Sequence, residues 1–174
     1  MKRGVFAVAG QIGSGKTSVA RILKDFTLGS MVSFSRVISD LASAQGMTPS
    51  RDILQTIGAN IVKESPEQFC KAVLHQARWS GGDLVIDGLR HPSIASTLRS
   101  LVSPVGLWII YVEASVGVRQ RRIIAEVGVD ALQQWDARAS ERFVTELRVE
   151  ADMIVTNEGS IEDLRVQVTE WLAT

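Results

Sequence analysis

The chain has 174 residues, 19 Lys+Arg against 19 Asp+Glu, and 45% hydrophobic residues. That length holds one ordinary core, and the balanced charge offers no global basic field for nucleic acid or an anionic membrane. Cys70 is the single cysteine, so no internal disulfide and no paired-cysteine zinc site can form; a small-molecule partner in a reducing, cytoplasmic setting is the expectation.

The first β-type run covers residues 5–9, and a helix starting near Lys16 carries Val19, Ile22, Leu23 and Phe26 at i, i+3, i+4, i+7 before Gly29 ends it. A weaker strand is expected at 31–35. Thr48-Pro49 reads as the start of a helix with an apolar stripe of Ile53, Leu54, Ile57 and Ile61. Ser65-Pro66-Glu67-Gln68 combines a hydroxyl cap, a proline in the first turn and a Gln three residues after the Ser, opening a helix whose apolar face is Phe69, Ala72 and Val73. Cys70 reads as packing on that helix.

After the Gly81-Gly82 turn come strands at 83–87 and 107–113, both continuously apolar at their centres, as strands covered on two faces are. A mixed-charge helical stretch, 128–150, contains Trp135 as a packing anchor and Arg138 and Arg142 as secondary lid candidates. A strand at 152–156 follows, and Ser160 with Asp163 caps a last helix carrying Ile161, Leu164, Val168 and Trp171. Strands alternating with helices predict a doubly wound, five-stranded parallel α/β sheet in one domain, 1–174. The long helical interval before the strand at 83 implies an inserted lobe at about 36–79.

Gly10-Gln11-Ile12-Gly13-Ser14-Gly15-Lys16-Thr17 fits G-x-x-x-x-G-K-[ST] between a predicted strand and a predicted helix. In such a P-loop, backbone N–H groups converge on phosphate oxygens at the positive end of the helix. Gly10, Gly13, Ser14, Gly15, Lys16, Thr17 and Ser18 are therefore the expected ATP contacts, with Lys16 on the β- and γ-phosphates and Thr17 on Mg²⁺. Asp87, at the carboxyl end of its strand, is the second Mg²⁺ candidate. Its neighbour is Gly88, not a water-activating Glu, and no Asn-Lys-x-Asp segment occurs, so transfer to a bound acceptor is favoured over hydrolysis.

Asp87-Gly88-Leu89-Arg90-His91-Pro92 resembles the Asp-Gly-Phe-Pro-Arg segment of adenylate kinases, and more closely the Asp-Gly-Ile-Arg-His-Pro segment of kinases related to deoxynucleoside monophosphate kinases. The resemblance implies a P-loop nucleotide kinase in which Asp87 lies near Mg²⁺ and Arg90 grips the acceptor's phosphate. The P-loop together with residues 151–164 is also similar to dephospho-coenzyme A kinase, and implies that Asn157 and Gly159 lie beside the nucleotide base. That family carries an aspartate-rich stretch where this chain has Ser33-Phe34-Ser35-Arg36.

By the same resemblance Ser35 and Arg36 belong to acceptor binding; a polar helix cap with a solvated Arg36 accounts for the segment equally well. Arg119 and Arg122, at i and i+3, can point toward one ligand. Family lids carry arginines at comparable places, which implies a lid at about 115–150 closing these two over the transferring group. His91 reads as a cap for the following helix. The expected activity is phosphoryl transfer from Mg-ATP to a small phosphorylated acceptor, a (deoxy)nucleoside monophosphate, with dephospho-coenzyme A kinase and a non-catalytic ATP-binding regulator as alternatives.

Overall fold

We describe residues 1–128 and 139–174 from a computed structural model. Five strands, β1 (Val5–Gly10), β2 (Ser30–Ser33), β3 (Leu84–Leu89), β4 (Leu107–Glu113) and β5 (Met153–Thr156), form one all-parallel sheet in the order β2-β3-β1-β4-β5. The central strand β1 is buried along its whole length, which is why its sequence is unbroken apolar.

The helices are α1 (Lys16–Phe26), α2 (Phe34–Ala44), α3 (Arg51–Glu64), α4 (Pro66–Gln76), α5 (Pro92–Val102), α6 (Val116–Val127), α7 (Ala139–Glu146) and α8 (Ile161–Ala173). They cover both faces of the sheet. Phe6, Val8, Val85, Ile110 and Val112 pack against Val19, Ile22 and Leu23 of α1 and Leu164, Val168 and Leu172 of α8. Ala7, Ala9, Leu84, Ile86, Ile109 and Tyr111 meet Phe34, Phe69, Val73, Leu98 and Val144 from α2, α4, α5 and α7. Each large side chain so buried contributes on the order of 1.5–3 kcal/mol against exposure. No helix among the described residues is long and apolar enough to cross a membrane.

Local chemistry moves several predicted boundaries. β2 ends at Ser33, not at residue 35, because the Ser33 hydroxyl accepts from the Arg36 N–H at 3.2 Å and starts α2. α3 begins at Arg51 under a Ser50 cap, two residues beyond Thr48-Pro49. Its predicted core stripe is only half-buried: Ile61 packs against the core, whereas Ile53, Leu54 and Ile57 are half-buried away from it. α4 starts at Pro66 as expected but without the hydroxyl cap, since Ser65 also terminates α3 and its side chain makes no cap bond. The last helix has the full Ser160–Asp163 capping box, yet Ile161 is 46% exposed and Leu172 takes the core position beyond Val168. Trp135 and Arg138 lie outside the described residues; Arg142 is exposed on α7.

One irregularity positions the site. In β3 the register against β1 shifts between Val8–Asp87 and Ala9–Leu89, leaving Gly88 as the extra residue at φ 89°. Val85 and Asp87 face the α1 side, and strict alternation would send Leu89 there too. The bulge returns Leu89 to the core that holds Leu84 and Ile86, and Asp87 is left as the last β3 side chain beside α1.

Candidate nucleotide site

The loop 10–17 leaves the carboxyl end of β1 and turns into α1 with Gly15 as the N-cap, at φ 92° and with no side-chain cap bond, so the first-turn N–H groups of α1 are not taken by a capping side chain. Gly13 is also left-handed at φ 77°. A Cβ on Gly15 would stand 2.1 Å from Asn157 Nδ2, and one on Gly13 would stand 2.9 Å from the Arg119 carbonyl. These two glycines therefore serve close packing as well as the turn.

Thr17 Oγ1 donates to Asp87 Oδ2 at 2.8 Å, joining the start of α1 to the end of β3. Asp87 is 8% exposed, and its Oδ1 has no hydrogen-bond partner among the described residues. A buried carboxylate oxygen left without a partner is costly unless something occupies it. The pair presents hard oxygen donors, the chemistry Mg²⁺ takes, while no cluster of three His, Cys, Asp or Glu exists among the described residues. That combination fits an ion held by two protein oxygens, water and phosphate, in place of an all-protein cage. Lys16 Nζ donates to the Gln11 carbonyl at 2.9 Å, within the loop it is expected to serve.

Arg119 and Arg122 share one face of α6, and that face packs on the loop. Arg119 Nη1 donates to the Ile12 carbonyl at 3.3 Å; Arg122 donates from Nη1 to the Gly13 carbonyl at 3.4 Å and from Nη2 to Asn157 O and Oδ1 at 3.2 and 3.1 Å. Both arginines, expected to close over the transferring group, are bonded in this structure to the loop's own carbonyls. Asn157, expected beside the base, is 5% exposed and gives its Nδ2 to the Ser14 carbonyl at 2.7 Å. Gly159 is exposed, and a Cβ there would stand 2.4 Å from Asp163 Oδ2, so its lack of a side chain makes room for the capping box.

At the end of β2, Ser33 and Ser35 hydroxyls lie 2.8 Å apart and Arg36 is exposed, which is the helix-cap arrangement. Ser33 pairs in register with Asp87, so the end of β2 offers hydroxyls beside that carboxylate. Arg90 is half-buried just past the bulge. His91 caps α5 as expected, its Nδ1 accepting from the Ser93 N–H at 3.3 Å with the Ser93 hydroxyl at 2.8 Å. The His91 ring also packs on Phe143 of α7 at 4.3 Å between centroids, a contact across 52 positions that no local pattern announces. Burial holds His91 below its ordinary 6.5, partly opposed by Glu146. Cys70 is fully buried and its thiol is pushed up to about 12 by that burial, so it is packing only.

The sequence model of the AAA domain family matches residues 7–143. The chain belongs to that family. It is 32% identical to a UPF0200 protein of Pyrobaculum aerophilum over 94% of both chains, and 23% identical to the dephospho-CoA kinase of Carboxydothermus hydrogenoformans over 94% of this chain and 90% of that one. A gluconokinase of Sinorhizobium meliloti superposes with a TM-score of 0.64 at 17% identity, covering 98% of this chain and 91% of that one. The family member described here therefore has a P-loop kinase fold, with its nucleotide-loop residues, Asp87 and Arg90 all at the carboxyl edge of the sheet.

Proposed function

We propose that this chain is an ATP-dependent phosphotransferase acting on a small phosphorylated acceptor, in first place a (deoxy)nucleoside monophosphate. The observation that carries the reading is the Thr17–Asp87 pair beneath the P-loop, with its second carboxylate oxygen left for a ligand. Mg²⁺, when bound, supplies charge neutralisation across the donor's phosphate oxygens. Thr17 and Asp87 would hold it, the loop amides and Lys16 would orient the donor, and Arg90 would orient the acceptor's phosphate. Phosphoryl transfer rests largely on such positioning and electrostatics, which asks little covalent chemistry of the protein.

The β2 end supports a phosphate acceptor over a hydroxyl one. A hydroxyl must lose its proton during transfer and is served by a positioned base, whereas a phosphate oxygen is already ionised. Ser33 and Ser35 cannot act as that base at neutral pH, and Asp87 already engages Thr17. The 23% identity to a dephospho-CoA kinase favours the second reading, a hydroxyl acceptor of that kind.

A panel assay separates these. Purified protein with Mg-ATP is offered each nucleoside monophosphate, its deoxy form and dephospho-coenzyme A, and acceptor-dependent ADP is measured against a no-acceptor control. A response to a monophosphate supports the first reading, and a response to dephospho-coenzyme A alone supports the second. Saturable ATP binding with no response across the panel would favour a non-catalytic regulator.

A further inference from the structure

Three successive P-loop carbonyls, Ile12, Gly13 and Ser14, each accept from a different side chain: Arg119, Arg122 and Asn157. The fourth carbonyl of the run, Gln11, accepts from Lys16. A peptide unit has its N–H and C=O on opposite sides, so tying a carbonyl to the outside of a loop turns the neighbouring N–H toward the inside. Ser14 N–H is itself turned to the Gln11 carbonyl at 3.2 Å, so the tied Ile12 and Ser14 carbonyls are the two whose paired N–H groups, those of Gly13 and Gly15, are turned to the concave face as donors, the condition for a backbone anion nest. Loose peptide units could instead rotate a carbonyl inward, where it would repel phosphate.

Two further features belong to the same brace. Arg122 bridges two elements, spanning Gly13 O on the loop and both oxygens of Asn157 after β5, while Asn157 itself returns to the loop. Neither arginine has a carboxylate within ion-pair distance among the described residues; Glu158 is bonded to the Ser115 N–H and hydroxyl, and those bonds, with the charges of Arg122 and Arg121 behind them, hold its carboxyl below the ordinary value. Arg119 is 7% exposed and its Nε has no hydrogen-bond partner among the described residues. Keeping the buried Arg119 guanidinium beside the loop without an ion-paired carboxylate is unfavourable for the empty protein, and a polyphosphate in the nest would offset it.

We infer that Arg119, Arg122 and Asn157 are positioning residues that hold the P-loop carbonyls outward and so pre-form its anion nest, acting on the phosphate chain and not on the nucleotide base. The inference rests on the reading of the loop as a polyphosphate site.

Isothermal titration calorimetry with inorganic tripolyphosphate, which has no base, and with ATP tests it on the whole chain. The variants are Asn157→Asp, which keeps an acceptor for Arg122 but turns an oxygen toward the Ser14 carbonyl, and Arg122→Gln, which removes the bridging cation. Both should weaken tripolyphosphate by about tenfold or more and ATP by the same factor, the size expected for lost charge-assisted hydrogen bonds. A merely structural role would lower the binding stoichiometry and leave the Kd of the remaining molecules unchanged. Should one variant fail to fold, as judged by circular dichroism, the other decides. Unchanged tripolyphosphate binding in a folded variant would overturn the inference, and a loss confined to ATP would move these residues to the base. Wild-type protein that bound no tripolyphosphate would overturn the polyphosphate reading itself and this inference with it.

Discussion

Gly15→Ala probes the tightest point of the loop. The residue sits at φ 92°, where an alanine costs roughly 1–2 kcal/mol. The added methyl would stand 2.1 Å from Asn157 Nδ2, so the amide must leave the Ser14 carbonyl it now holds at 2.7 Å. An unsatisfied buried acceptor costs about 1–3 kcal/mol more, giving a total of roughly 2–5 kcal/mol. For a chain of this size that corresponds to a thermal midpoint lower by roughly 4–20 °C, measurable by scanning calorimetry. In an Asn157→Ala background the clash is absent, and the Gly15→Ala increment should shrink to the backbone strain alone, about 1–2 kcal/mol. A loss under about 1 kcal/mol in the parent chain, or the same increment in both backgrounds, would refute the packing argument.

Arg90→Ala should raise the acceptor's KM far more than that of ATP in steady-state assays with the acceptor found by the panel; equal small changes would remove Arg90 from the acceptor site. His91 is held below its ordinary 6.5 in the folded chain by burial, so between that value and its folded one the unfolded chain binds more protons. Its contribution to stability is therefore complete above about pH 6.5 and is lost as pH falls through the folded value. His91→Asn keeps an N-cap acceptor without that titration, and its thermal midpoint should fall less than the parent's between about pH 7 and 5; parallel curves would refute this. Cys70, buried and raised to about 12, should react with a thiol reagent only after unfolding, and labelling of the native chain at the rate of a free thiol would contradict its packing role.

The nucleotide loop was legible because its parts are consecutive: an apolar strand, a glycine-rich turn and an amphipathic helix each follow from residues within a few positions of one another. Asp87 was legible for the same reason, as the carboxylate at the end of an apolar run. Capping chemistry was also local, which is why His91 and the Ser160–Asp163 box were readable, and why the Ser33 cap, once seen, explains the shortened β2.

What the tertiary structure decided is where the long polar side chains go. Spacing showed that Arg119 and Arg122 share a helix face, but not that this face packs on the loop. Their partners lie 107 and 109 positions away at Ile12 and Gly13, and Asn157 reaches Ser14 across 143. A guanidinium on a flexible stem has no periodicity that announces its target, and a helix face is assigned only when the sheet order brings β4 beside β1 and β5 beside β4. The sequence by itself determined that a glycine-rich P-loop would join β1 to α1; the packing of α6 and of the turn after β5 against it decided which side chains hold its carbonyls.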